Sequence, residues 1–455
     1  MSTSSPAKQA NPLISRPIPG LIRRIGIPVS IGAFFNTMFN VVDTYYGGLI
    51  STEALAALGL SFPIFFIIIA LSYGLSSGNT ALMGNALGKG NRAEAEQFAI
   101  QGIVFGAALA ILVTILGLAI SPPLFRLLGA SDDYLAISLQ YMNPIFWGTI
   151  FFVIVQMLNS ILNALGNTKP NRNFLIGGFI LNLLLDPWFI FGGFGLPAMG
   201  ITGIALATVF VQFLGCLYLG VEVAKTRMIT VNSLRDQLVP HPKTIYQIAQ
   251  QGFPNIVDMS SISLGFFAVT YFVSGFGQEA VAAFSVASRV EQVAMLPLIG
   301  VDVATLSLTA QNFGARLMER VRIILNTSIK YGLILMAVNT MLLIVFAPQL
   351  IAIFSQDTAI IEIGTTYLWI RAWILFPSAI YFVSSAIMRG LKKPLYALSF
   401  SMLRLVVIPT IALYILITLL GFGLVSVWWV TLLAPAVISV VGYWYVKRLL
   451  NTVAV

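Results

Sequence analysis

The chain has 455 residues, of which 58% are hydrophobic and 9% are charged, and its mean hydropathy is +0.92. Soluble proteins carry roughly 25% charged residues, so this composition excludes a soluble fold and indicates an integral membrane protein. The net charge of +9 would also be compatible with a nucleic-acid-binding protein. The basic residues, however, are spread over short loops and do not form the single patch that nucleic-acid binding needs.

Apolar segments long enough to cross ~30 Å of hydrocarbon recur twelve times along the chain. The polar stretches between them are short, and the longest is a connector at 223–245. We therefore predict an all-α membrane protein with twelve transmembrane helices. In chain order the predicted spans are 22–49, 57–82, 98–120, 134–163, 173–192, 200–222, 246–274, 281–310, 324–346, 360–388, 397–420 and 424–447.

Basic residues occupy alternate loops, which predicts the orientation of the chain. Lys89 and Arg92 follow span 2, and Lys169 and Arg172 follow span 4, whereas the intervening loops are almost free of Lys and Arg apart from Arg126. By the positive-inside rule both termini are expected in the cytoplasm, with the spans in the inner or plasma membrane. The expected divisions are a cytoplasmic tail at 1–21, an N-lobe at 22–222, the connector at 223–245, a C-lobe at 246–447 and a cytoplasmic C-terminus at 448–455.

An acid, an amide and a proline stand together in span 5, in the segment "NLLLDPW". An ionisable group in hydrocarbon costs roughly 2.5–3.5 kcal/mol, so it normally faces a cavity or a partner. Asn182 precedes Asp186 by one helical turn and shares its face, and Pro187 leaves the carbonyl of Leu183 without a helical donor. These oxygens suit a proton or a hard cation. Asp43 in span 1 lies at a similar depth and is predicted to complete the site.

The second half of the chain repeats the first without this acidic pair. "NALGKGN" aligns with "QNFGARL", which places Gly88 on Gly314 at an offset of 226 residues, whereas Asp43 aligns with Val269. Because each copy has six spans, the copies run in parallel and are related by a pseudo-two-fold axis along the membrane normal. Two such bundles enclose a cleft and predict transport by alternating access.

The second half has acids of its own within spans, and the sequence shows no obvious partner for any of them. For Asp258, Glu291 and Asp302, a part in transport and a purely structural role are both open. Arg404 in the same half is interpreted as a structural or snorkelling base.

No catalytic constellation is evident. His241 is the only histidine and lies in the connector, which excludes HExxH zinc chemistry, and "GNALGKGN" lacks the glycine spacing of a phosphate-binding loop. We therefore predict no enzyme activity and no cofactor, and expect an ion gradient to supply the energy.

Twelve spans in two halves, with "NLLLDPWFIFGGFGLPAMGITGIALAT" on spans 5 and 6 and "RVEQVAMLPLIGVDVATLSLTAQNFGA" on span 8, resemble the multidrug and toxic compound extrusion (MATE) family over essentially the whole chain. The resemblance implies a V-shaped pair of bundles and an antiporter that expels organic, often cationic, compounds in exchange for H⁺ or Na⁺. We expect a monomer that contacts small organic substrates and membrane lipid, and no nucleic acid.

Carried onto matching positions, the resemblance implies a cation-coupling site and a hinge. The site comprises Asp43, Asn182, Asp186 and Thr208, and Pro28 permits span 1 to bend when the site is occupied. Weaker candidates for the N-lobe cavity are Asn36, Tyr141 and Asn163.

Two positions depart from the family pattern. Ala310 precedes "QN" where the family has Gly, and Ile262 stands where some branches carry a C-lobe acid. Ile262 therefore predicts reliance on the N-lobe site. The alternatives are a flippase of lipid-linked saccharides, whose anionic substrate calls for a cavity rich in Arg and Lys, and a non-transporting membrane scaffold.

Overall fold

The computed structural model describes residues 11–127, 132–193 and 195–452. Among these residues, twelve helices are long and apolar enough to cross a membrane, which confirms the predicted fold class. The only strand pairing in the same ranges is a single bridge between Gly193 and Leu196. The helices are α1 (Ile18–Ile50), α2 (Thr52–Gly88), α3 (Arg92–Leu127), α4 (Asp132–Ala164), α5 (Lys169–Phe191), α6 (Ile201–Lys225), α7 (Pro242–Ser274), α8 (Gln278–Gly314), α9 (Met318–Val345), α10 (Thr358–Gly390), α11 (Pro394–Leu419) and α12 (Leu424–Thr452).

Most helices are longer than the predicted spans. α3, for example, runs from Arg92 to Leu127, whereas its apolar segment covers only 98–120. The hydrogen bonds of a helix do not require an apolar environment, so the helix continues into the polar residues on either side of the membrane. Two helices of the second half also change their winding. α10 contains a 3₁₀ turn at Ala372–Ile374, and α11 contains π turns at Leu403–Val407 and Tyr414–Leu419.

The helices form two bundles, α1–α6 and α7–α12, which we call the N-lobe and the C-lobe. Phe146 of α4 and Ile204 of α6 lie in one buried apolar cluster of the N-lobe. Trp428 of α12 and Tyr367 of α10 lie in the main cluster of the C-lobe. Each lobe therefore has an apolar core of its own.

The lobes meet on the side of the molecule where α1 begins and α12 ends, which we call the terminal side. Gly88 and Gly314, the last residues of α2 and α8, lie in this contact. A Cβ on Gly88 would collide with the backbone of Gln311, and a Cβ on Gly314 would collide with the backbone of Asn85. Because these glycines are equivalent in the repeat, the pseudo-two-fold axis passes between them.

Hydrogen bonds between the lobes also lie between mid-membrane and the terminal side. Asn85 of α2 donates to the Gly390 carbonyl at 3.0 Å, and Ser30 of α1 donates to the Pro297 carbonyl at 3.3 Å. In the far half, the side chain of Tyr45 in α1 is 63% exposed. Among the described residues, every hydrogen bond between the two lobes lies between mid-membrane and the terminal side. The lobes therefore close the terminal side, and we infer that the cleft between the two bundles opens toward the far side.

The segment that precedes α1 lies across this closed contact. Asn11 donates to the Gln311 side chain at 2.6 Å, and Gln311 donates to the Ala164 carbonyl of the N-lobe at 2.5 Å. Asn312 donates to the Leu13 carbonyl at 3.1 Å. Gln311 thus ties the end of α8 to the end of α4, and the segment before α1 binds the same end of α8.

Candidate functional site

Two carboxyl groups from different helices meet inside the N-lobe. Asp43 of α1 is 7% exposed, and Asp186 of α5 is fully buried. The Asn182 amide donates to Oδ1 of Asp43 and to Oδ1 of Asp186, both at 3.0 Å. Thr208 of α6 donates to Oδ2 of Asp43 at 3.3 Å. The structure therefore brings together all four residues that the sequence suggested for the coupling site.

The local sequence explains how three helices converge here. α5 continues unbroken across Pro187 to Phe191, so Asn182 and Asp186 keep their one-turn spacing on a single face. A Cβ on Gly203 of α6 would stand 2.7 Å from the carbonyl group of Phe189. This close approach of α5 and α6 presents Thr208 to the carboxyl pair.

The acid pair has unused hydrogen-bonding capacity. The oxygens Asn182 Oδ1 and Asp186 Oδ2 are buried and have no hydrogen-bond partner among the described residues. The two carboxyl groups are neighbours, because an oxygen of each lies 3.0 Å from the Asn182 nitrogen. None of the ion pairs found in the described part of the chain involves either acid. Two buried carboxylates repel each other, so a proton or a small cation bound between them relieves a real electrostatic cost.

The site contains two ionisable side chains, Asp43 and Asp186. The described residues include no group of three or more His, Cys, Asp or Glu side chains that could hold a metal ion. Two carboxyl groups, an amide and a hydroxyl suit a monovalent ion that binds and leaves.

The weaker sequence candidates fall in different places. Tyr141 is buried in α4, close to both carboxyl groups. Asn36 is exposed on α1, two turns before Asp43. Asn163 lies 22 residues beyond Tyr141 on α4, about 33 Å away at ~1.5 Å per residue, so it is not part of this site.

The hinge candidate and one overlooked residue also lie on α1. Pro28 is buried within an unbroken helix, next to the contact between Ser30 and α8. Tyr46 lies near Asp186, and the sequence analysis missed it. Its position three residues after Asp43, on the same helical face, was the available signal.

Two acids of the C-lobe have basic partners that are distant in sequence. Arg371 of α10 donates to Glu291 of α8 at 2.7 Å, and the Tyr367 hydroxyl donates to the same carboxylate at 2.7 Å. Arg389 of α10 forms an ion pair with Asp302 of α8. Arg389 also donates to Ser77 of α2 at 3.0 Å, which joins this ion pair to the N-lobe.

The third C-lobe acid, Asp258, lies beside a tyrosine and an arginine. The Tyr381 hydroxyl donates to Asp258 at 3.4 Å, and the guanidinium of Arg404 lies 4.4 Å from the centre of the Tyr381 ring. Arg404 also donates to Ser378 at 2.6 Å, in agreement with its interpretation as a structural base. The C-lobe network contains three acids and three arginines and is neutral, whereas the N-lobe site contains acids alone.

Comparisons with known proteins agree with this architecture. The family model MatE matches residues 28–188 and 254–415, which lie in the two lobes respectively. A FAD transporter of Shewanella oneidensis is 26% identical over 404 residues, 88% of each chain. A probable multidrug resistance protein NorM of Thermotoga maritima is 25% identical over 410 residues, 89% of this chain and 87% of its own. A solved structure of MATE in complex with MaD3S superposes with a TM-score of 0.91 at 25% identity and covers 98% of both chains.

Proposed function

The chain belongs to the MatE family, and on that premise we propose that its export of organic compounds is coupled to occupancy of the Asp43–Asp186 site. It is a multi-pass membrane transporter that works by alternating access. The observation that carries the proposal is the acid pair itself, which is buried, shares one amide donor and has no basic partner among the described ion pairs. A structural pair of acids would be expected to have a neutralising arginine, as Glu291 has.

We propose the proton as the coupling ion. An oxygen of each carboxyl group lies 3.0 Å from the same Asn182 nitrogen, so the two groups are neighbours and can share one proton. The amide of Asn182 presents its N–H group and not its oxygen to both carboxyl groups, so a metal cation between them would face positively polarised hydrogens. Na⁺ would instead require the unpartnered oxygens of Asn182 and Asp186 to turn toward one point.

The basic loops support a cytoplasmic terminal side, and the described conformation is then outward-facing. An external proton binds the acid pair, neutralises one of the two carboxylates and relieves their mutual repulsion. α1 then repacks around Pro28, and the bound compound is released into the far-side cleft. The lobes return with the proton, release it into the cytoplasm and bind the next substrate molecule.

We further propose that the protein keeps the divisions and the orientation predicted from its sequence. The lobes comprise 22–222 and 246–447, both termini are cytoplasmic, and the protein acts as a monomer in the inner or plasma membrane. The acidic N-lobe favours cationic substrates, which its negative charge attracts. Because one relative is named a FAD transporter, the substrates tested should include a flavin nucleotide as well as a cationic dye.

Transport into proteoliposomes tests this function. Purified protein is reconstituted, and substrate flux is measured under a pH gradient alone and then under a Na⁺ gradient alone. We expect the pH gradient to drive flux, and we expect Asp43→Asn and Asp186→Asn to abolish it. Asp133→Asn, which removes an exposed acid at the start of α4, is the matched control and should transport normally. Full gradient-driven flux in both of the first two variants would overturn the proposal, and flux under Na⁺ alone would identify the other ion.

A further inference from the structure

We propose that a cavity between the terminal ends of α9 and α12 binds the phosphate of an anionic phospholipid head group. The cavity has a volume of about 240 Å³. It is lined by Arg322, Leu325 and Asn326 of α9 and by Lys447, Leu450 and Asn451 of α12. This inference rests on the proposed membrane placement of the helix ends and is independent of the coupling site.

The rim of the cavity carries two cations. Lys447 is exposed and forms no ion pair with any described carboxylate. Arg322 donates to Asn451 at 3.1 Å, which holds its guanidinium against α12, and it also pairs with Glu319. The Glu319 side chain is 79% exposed, so water and salt weaken that pair. A phosphate in the cavity would meet both positive charges.

The floor and the surroundings of the cavity are apolar. Leu325 and Leu450 are 2% and 1% exposed. Trp444, one turn before Lys447 on α12, is 66% exposed, and the Lys447 ammonium lies 6.0 Å from its ring centre. Exposed tryptophans and basic residues occur together at the level of the lipid head groups. Basic pockets between helices on the cytoplasmic side are suited to anionic head groups.

The internal repeat supplies a comparison within the same chain. The N-lobe residue equivalent to Arg322 is Glu96, at the offset of 226. Glu96 is occupied by the connector, since the Thr230 backbone donates to it at 3.0 Å and the Ser233 hydroxyl also donates to it. One copy of the fold therefore has an acid here that binds its own chain. The other copy has a base, Arg322, beside an open cavity. Because both copies have the same fold, the fold alone does not explain why an acid in one copy is replaced by a base in the other.

Native mass spectrometry of the full chain in detergent tests the site. Phosphatidylglycerol is titrated against the parent and against the double variant R322Q/K447Q, with phosphatidylcholine as the neutral lipid. Each basic residue near an anionic surface contributes roughly a fivefold change in affinity, so the double variant should bind phosphatidylglycerol about 30-fold more weakly. R23Q/R24Q, which removes two exposed charges from the terminal end of α1, should bind like the parent.

A competition experiment and a single variant distinguish a lipid site from a site for free phosphate and from an effect of misfolding. Inorganic phosphate at millimolar concentration should not displace phosphatidylglycerol, because a lipid also buries its acyl chains against apolar surface such as the exposed Trp444, which free phosphate cannot do. The single variant K447Q changes an exposed side chain, so we expect it to fold like the parent and to bind about fivefold more weakly. Parental affinity in both R322Q/K447Q and K447Q, equal binding of the two lipids, or displacement by free phosphate would each overturn the proposal.

Discussion

Adding one methyl group to Gly88 or Gly314 should open the terminal side of the transporter. A Cβ at Gly88 would stand 2.8 Å from the carbonyl carbon of Gln311, and one at Gly314 would stand 2.8 Å from the carbonyl carbon of Asn85. These obstacles are backbone atoms, so no change of rotamer removes them. The ends of α2 and α8 must move apart, and the conformation with a closed terminal side becomes strained.

The size of the effect follows from the packing. Overfilling a well-packed contact costs ~1–3 kcal/mol. The strain exists only while α2 and α8 touch, so Gly88→Ala and Gly314→Ala should each shift the conformational equilibrium about 5–150-fold away from the closed terminal side. Because the two glycines are equivalent in the repeat, their effects should be similar.

Distances between spin labels measure this shift. Cys216 is the only cysteine, so a Cys216→Ser background allows labels at Ala93→Cys and Glu319→Cys, two exposed positions that are equivalent in the repeat. We expect the alanine variants to populate longer distances across the terminal side. Gly59→Ala, on α2 with open space around it, should leave the distribution unchanged. If Gly88→Ala and Gly314→Ala both matched the Gly59→Ala distribution, the close contact would not restrain the lobes.

Two further substitutions test buried polar contacts. Glu291→Gln leaves the charge of Arg371 buried without a carboxylate, which should destabilise the protein by about 3–5 kcal/mol in unfolding experiments in detergent. Glu362→Gln, at an exposed position on α10, should leave stability unchanged, and equal stability of the two variants would contradict this reasoning. Thr208→Val removes a hydrogen bond to Asp43. A hydrogen bond to a charged group contributes ~1.5 kcal/mol, so proton-driven transport should become about tenfold slower. Thr208→Ser keeps the hydroxyl and should transport normally, so a slow serine variant would assign the effect to packing.

Local chemistry made the N-lobe site predictable from sequence. Asn182 and Asp186 are one turn apart, so their shared face follows from helix geometry alone. Because an acid in hydrocarbon is costly, Asp186 was expected to have a partner, and Asp43 was the candidate at similar depth. The offset of 226 residues predicted that Gly88 and Gly314 are equivalent, and the structure adds that they lie together at the contact between the lobes.

The partners of the C-lobe acids could not be predicted in this way. Glu291 and Arg371 are 80 residues apart and lie on different helices. Their meeting depends on how α8 and α10 are rotated about their axes, which sequence spacing does not determine. The same holds for Arg389, whose contact with Ser77 requires the two lobes to meet. The π turns of α11 likewise had no signal in the apolar pattern.

Because the lobes differ in charge, a voltage across the membrane acts mainly on the movement of an ion to and from the N-lobe site. The C-lobe network is neutral, whereas the empty N-lobe site has up to two negative charges. Asp43 is seven residues from the far end of α1, so an ion entering from the far side crosses ~10 Å of helix to reach it and a longer path to leave. One charge crossing a potential of 100 mV gains roughly 2.3 kcal/mol. On the proposed coupling through Asp43 and Asp186, a potential that is negative on the terminal side loads the site from the far side. For substrates without net charge, voltage alone can then drive export when the ion concentrations on the two sides are equal.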